Sequence, residues 1–154
     1  YETRTPLGPT LSPEQVAAGN MFPLQAAVTA ALDAVVAWAS EGTPAADSVF
    51  FEVDADGRLV RDYDGNVRGG LRYGLIEHPV ATFTGSPTGG TLGSLDLFEA
   101  GRVLASWPTL ESYLDAVASV DTVLQAGGYL NDLGFAQMQD AARHLWTRAT
   151  GRDA

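Results

Sequence analysis

From Phe22 onward, apolar residues recur at helical spacing. Leu24, Val28, Ala31, Leu32, Val35, Val36 and Ala39 gather on one side, while Gln25, Thr29, Asp33 and Ser40 fall elsewhere. The spacing predicts an amphipathic helix over 22–41, ended by Gly42 and kept from continuing by Pro44. Alanines fill most of its remaining positions, which permits close packing against a neighbour. A face this apolar needs a partner surface.

Between residues 48 and 84 the pattern changes to strand character. Val49–Val53 and Leu59-Val60 are separated by Asp56-Gly57, and Asp64-Gly65-Asn66 follows. Asp-Gly between β-formers predicts hairpins, because the turn needs positive φ at the glycine. Gly69-Gly70 leads into Leu71-Arg72-Tyr73, read as strand-like, and Val80–Phe83 reads as a further strand. In Glu77-His78-Pro79 the proline forces an extended or turn geometry on His78. Residues 85–95 form a Gly/Thr/Ser loop, and the chain reads as free of internal repeats.

A second helical half follows. A short turn is expected over Asp96–Ala100, and then a helix from Leu110 to Gln125, capped by Thr109 and stopped by Gly127-Gly128. The last helix runs from Asp132 to about Ala149, with Asn131 as its cap and arginines near its end that complement the helix dipole. Residues 1–21 are a Pro-, Gly- and Thr-rich arm with one short helix behind Ser12-Pro13. Residues 22–150 form one unit, and 151–154 a tail. Taken by itself this is an α+β chain, helices packed with a small β-meander.

Composition narrows the function. The chain has 154 residues, 9 basic (all arginine) and 19 acidic, for a net charge of −10. Between residues 75 and 140 eight acids face Arg102 alone. Such a surface repels phosphate, which argues against nucleic acid and anionic membranes as partners. No apolar run approaches the roughly 20 residues needed to span a bilayer, so a soluble chain is expected. The absence of cysteine excludes thiol nucleophiles and disulfides and leaves the compartment open. Tyr1 stands where a translated chain carries methionine, which predicts lost upstream sequence.

Candidate chemistry is sparse. Asp54-Ala-Asp56-Gly57 and Asp62-Tyr-Asp64-Gly65 resemble calcium loops, yet both place glycine too early and neither has the terminal glutamate. Hairpin turns account for them. The run Gly85–Gly93 lacks the Lys-Ser/Thr pair of a phosphate cradle, and no G-x-S-x-G elbow occurs. Two histidines without cysteine do not make a zinc site, so no metal and no cofactor are expected. His144 beside Arg143 reads as solvated or packing. His78 is the better candidate for touching substrate, with its backbone fixed by Pro79. Arg72, behind two glycines, can hold a carboxylate bidentately, and a structural ion pair is the default over a substrate's.

Four stretches in this order carry a resemblance: Ala37–Pro44, Asp64–Arg72, Pro79–Gly85 and Trp107–Leu114. Together they resemble the C-terminal third of bacterial α/β-hydrolase-domain proteins, over approximately residues 20–145. The resemblance implies an α/β fold with a serine nucleophile upstream of this part and an acid and histidine completing a triad. The catalytic histidine is expected around or before the start of this chain, and neither His78 nor His144 matches a family motif for it. This chain departs from the family at Tyr73-Gly74 and over Gly85–Leu95, which looks shortened.

Two readings from different classes follow. In the first, this is the C-terminal part of a serine-type hydrolase acting on an ester or amide. An upstream segment or partner chain holds the nucleophile, and Arg72, Tyr73 and His78 form pocket wall here. In the second it is a non-catalytic interaction module that binds a partner protein through its Ala-rich helix and acidic face. A self-sufficient enzyme built around His78 is a third.

Overall fold

The computed structural model describes residues 20, 22–85 and 93–152. Apart from Asn20, the arm over 1–21 with its short helix lies outside these residues, as does most of the glycine-rich connector. In chain order the elements are α1 (Leu24–Glu41), α2 (Gly74–Glu77), β1 (Ala81–Thr84), β2 (Ser94–Leu97), α3 (Ala100–Ser106), α4 (Leu110–Ala126) and α5 (Asp132–Thr150). The described residues thus form an α+β arrangement with one antiparallel ladder, Ala81 opposite Leu97 through Thr84 opposite Ser94.

Local chemistry explains the two long C-terminal helices. Thr109 and Ser112 form a reciprocal capping box at the start of α4. Asn131 accepts from the Gly134 amide at the start of α5, and Gly151 ends that helix in the left-handed region. Helix α5 is the hub, packing on α1, α2, α3, α4 and β2. Its Met138, Ala142, Leu145 and Trp146 are buried, and Trp146 Nε1 donates to Trp107 O at 3.2 Å.

Helix α1 turns a different side to the core than its large apolar residues suggest. Ala26 and Ala30 are buried, whereas Leu24, Val28, Leu32, Val35 and Val36 are exposed. Small size decides this. A Cβ added to Gly134 of α5 would lie 3.1 Å from Ala26 O and 3.2 Å from Ala26 Cβ, so the two helices cross almost backbone to backbone. The alanine stripe allows that approach, and the bulkier stripe is left outside.

The region between α1 and α2 is a closed ring rather than an open meander. The Glu52 amide donates to Arg68 O, Val60 to Glu52 O and Arg68 to Val60 O, at 3.0, 3.0 and 2.9 Å. The bridges Val53–Leu59, Arg61–Val67 and Phe51–Gly69 follow the same spacing. Its basis is an eight-residue repeat, Asp54-Ala-Asp-Gly and Asp62-Tyr-Asp-Gly, which corrects the expectation of none. In each copy the aspartate carboxylate accepts from the amides two and four residues on, Asp56 and Arg58 in one, Asp64 and Asn66 in the other. Positive φ occurs at Gly57 and Gly65 and, among the described residues, at no non-glycine residue, so these are three-residue turns with a glycine bulge. Closure needs Gly69, where a Cβ would sit 2.7 Å from both Glu52 N and Phe50 O.

Two short helices escape local pattern. Leu71-Arg72-Tyr73 is not a strand but the extended entry to α2, and α3 stands just past β2, which itself takes Ser94 and Asp96 out of the expected loop and turn. Helix α2 is held from a distance: the buried Asp121 of α4 accepts from the Gly74 amide at 2.8 Å. A Cβ on Gly74 would lie 2.8 Å from Val117 Cα and strike its carbonyl, so only glycine lets α2 reach α4.

Burial pushes the Asp121 carboxyl above its ordinary range, against the Gly74 hydrogen bond, and its second oxygen has no hydrogen-bond partner among the described residues. Asp121→Ala should cost about 1–3 kcal/mol, because it strands the Gly74 amide. Asp121→Asn keeps an acceptor and removes the charge, so it should raise Tm at pH 7. A raised folded-state pKa means the wild type recovers stability as pH falls, so the gain should shrink on acidification. Thermal melts of both variants across pH check this pair of outcomes.

Candidate functional site

Arg72 binds the ring to α2. Its Nε donates to Glu77 Oε1 at 2.8 Å and Nη2 to Asp62 Oδ2 at 2.9 Å, while Nη1 reaches Val67 O at 2.5 Å and Nη2 also reaches Ile76 O at 3.1 Å. The planar fork suits this set as an ammonium would not. Burial alone would lower the guanidinium's proton affinity; hydrogen bonds and charge from Asp62 and Glu77 outweigh it and raise it. The default expectation of a structural ion pair is what the geometry shows.

Beside this clasp lies the main cleft, with a volume of about 730 Å³. Its walls come from three separated segments: Phe22 and Leu24 at the entry to α1, Phe51 of the ring, and Leu71 and Phe83 beyond it. Phe22 packs edge-on against Phe83 with ring centres 5.6 Å apart and tilted against Tyr73 at 5.7 Å. Such a volume with mostly apolar walls falls in the range of small-molecule pockets.

The polar side chains of the cleft are tied to the frame. Asn66, buried, donates from Nδ2 to Ala81 O at 3.2 Å and accepts the Phe83 amide at 2.8 Å, pinning the ring to β1. Asn20 accepts the Phe22 amide at 2.9 Å and donates to Thr84 O at 3.4 Å. Tyr73 Oη donates to Tyr129 O at 3.3 Å, and burial, with the Asp121 charge, raises its pKa. These residues hold walls in place.

Of the three residues singled out from sequence, Arg72 and Tyr73 line the main cleft. His78 does not join them. It lines a pocket of about 120 Å³ with Glu77, Asp64, Arg102, Ser106 and Trp107. Its ring stands edge-on to Trp107, centres 5.2 Å apart, and burial lowers its pKa despite the Glu77 charge. Arg102 pairs with Asp64 and lies 3.7 Å over the Phe98 ring. His144 is exposed on α5. Among the described residues, no group of three or more His, Asp or Glu could hold a metal ion, and no helix is long and apolar enough to cross a membrane.

Sequence reasoning missed Phe22, Phe51, Asn66 and Phe83. The signal for Phe51 and Asn66 was the eight-residue repeat, which sets Phe51, Leu59 and Val67 at equivalent ring positions and puts Asn66 where the first copy has Arg58. Phe22 and Phe83 meet only through tertiary packing.

A family model described as "alpha/beta hydrolase domain" matches residues 2–140, and the chain belongs to that family. No curated protein and no solved structure matches it.

Two outcomes test the clasp and the histidine. Arg72→Lys keeps the charge but loses the fork, and should destabilise the fold by about 2 kcal/mol or more, nearly as much as Arg72→Ala, in denaturant titrations. His78 has a folded-state pKa below its ordinary 6.5, so its contribution is present above that pH and lost as pH falls below it. His78→Gln should therefore flatten the decline of Tm below pH 6.5 relative to wild type.

Proposed function

We propose that this member of the α/β-hydrolase domain family is the C-terminal part of a serine-type hydrolase that cleaves an ester or amide. The nucleophile and its triad partners belong to an upstream segment or a partner chain. The observation that carries the reading is the 730 Å³ apolar cleft, walled by Phe22, Phe51, Leu71 and Phe83 and bordered by Arg72 and Tyr73, in a chain of this family.

The reaction follows from that assignment. A serine oxygen attacks the substrate carbonyl carbon, and the base takes the serine proton and returns it to the leaving alcohol or amine. Water then attacks the acyl-serine, releasing the acid and restoring the serine. Backbone amides stabilise the oxyanion in each step. This chain's part is to bind and orient. The cleft wall excludes water from one side of the substrate, and Arg72 is a positioning residue that fixes Leu71 and Tyr73 through its bonds to Asp62 and Glu77. His78, neutral at pH 7, enters as a contact in the smaller pocket.

One observation favours the interaction module as a second reading: Leu32, Val35, Val36 and Trp38 form an outer row on α1 that is 56–64% exposed. Such a row matches a protein contact surface.

Labelling the whole native protein with a fluorophosphonate, followed by peptide mapping, separates the readings. The hydrolase reading expects one labelled serine on an upstream segment or partner chain. No labelled serine in a demonstrably folded complex would favour the module. Label on Ser106, beside His78, would overturn both in favour of a self-contained site.

A further inference from the structure

We infer that the main cleft takes an uncharged apolar group, the medium-length acyl or alkyl part of a substrate, and rejects the corresponding ionised acid. The inference rests on the hydrolase reading for calling this group part of a substrate; binding itself needs no catalysis.

Charge is the deciding observation. Among the described residues that line the cleft, Arg72 is the only charged one and the only one whose charge could attract a carboxylate. Its charge is already met by two carboxylates, Asp62 at 2.9 Å and Glu77 at 2.8 Å, and four hydrogen bonds occupy its fork. A ligand carboxylate would have to displace one of them. The remaining polar side chains offer no better reception. Asn66 and Asn20 each use both ends of the amide on backbone groups, and the Tyr73 hydroxyl is spent on Tyr129 O. An ionised headgroup inside would be desolvated without compensation, which is costly, whereas an alkyl chain gains with every methylene that leaves water.

Nearby ring charges do not change this balance. Arg68 pairs with Glu52 at 3.3 Å and Arg58 with Asp56 at 3.6 Å, while Arg61 donates to Gly65 O. The cleft is also large enough, at about 730 Å³, for a group well beyond acetyl or propionyl.

The test is equilibrium displacement of Nile red, an uncharged apolar dye, from the full chain. Methyl octanoate should displace it, and sodium octanoate should need about tenfold more or greater. Val49→Trp, a substitution in the loop that borders the cleft, should weaken dye and ester binding together while leaving Tm unchanged. Phe51→Ala, which enlarges the cleft without touching the clasp, should shift preference towards longer methyl esters.

Octanoate binding as tightly as its ester would overturn the inference, as would dye binding indifferent to Val49→Trp. Dye binding that weakens as protein concentration rises would mean a second copy covers the cleft, and would also overturn it. Failure of the hydrolase reading looks different: ester binding persists while no serine takes the fluorophosphonate.

Discussion

The Arg72 guanidinium is the constraint on which the arrangement depends. It reaches Asp62 and Val67 in the ring and Ile76 and Glu77 in α2, so one planar group fixes two elements that share no ladder. Asp121 then fixes α2 to α4 through the Gly74 amide. The chain of attachment runs from ring to short helix to the α4–α5 pair. Without it, the ring would keep the Asn66 bonds to β1 and lose its tie to α2.

That constraint also settles what the cleft can be. A cation placed at a cavity usually invites an anion, but here two carboxylates and two carbonyls already surround it. The same bonds that stabilise the frame neutralise the cleft. Stability and specificity have one cause in this molecule, and an arginine that sequence alone offers as a substrate contact becomes a reason for apolar selectivity.

Legibility followed the range of the interactions. Helices α4 and α5 could be read almost to the residue, because the Thr109 and Asn131 caps act on their immediate neighbours. The hairpin turns were legible for the same reason. Helix α1 was found, but its buried side was misassigned, since its alanine stripe and its Leu/Val stripe are both apolar and only the Gly134 contact distinguishes them. Helices α2 and α3 are too short to show a period, and α2 exists through Asp121. The ring closes through Phe51 and Gly69, a pairing that no local signal announces. Arg72 was visible by type and its ion pair was anticipated. The cleft was not, because its walls come from residues as far apart as Phe22 and Phe83.

The central claim is that this frame presents an apolar cleft and an apolar α1 row to the rest of a hydrolase. The most direct measurement is the intact mass of the native sample under native and denaturing conditions. The account predicts a species heavier than the 16.2 kDa of this chain, containing a further polypeptide or a longer continuous chain. A lone 16.2 kDa species that is folded and melts cooperatively with α1's outer row uncovered would contradict it.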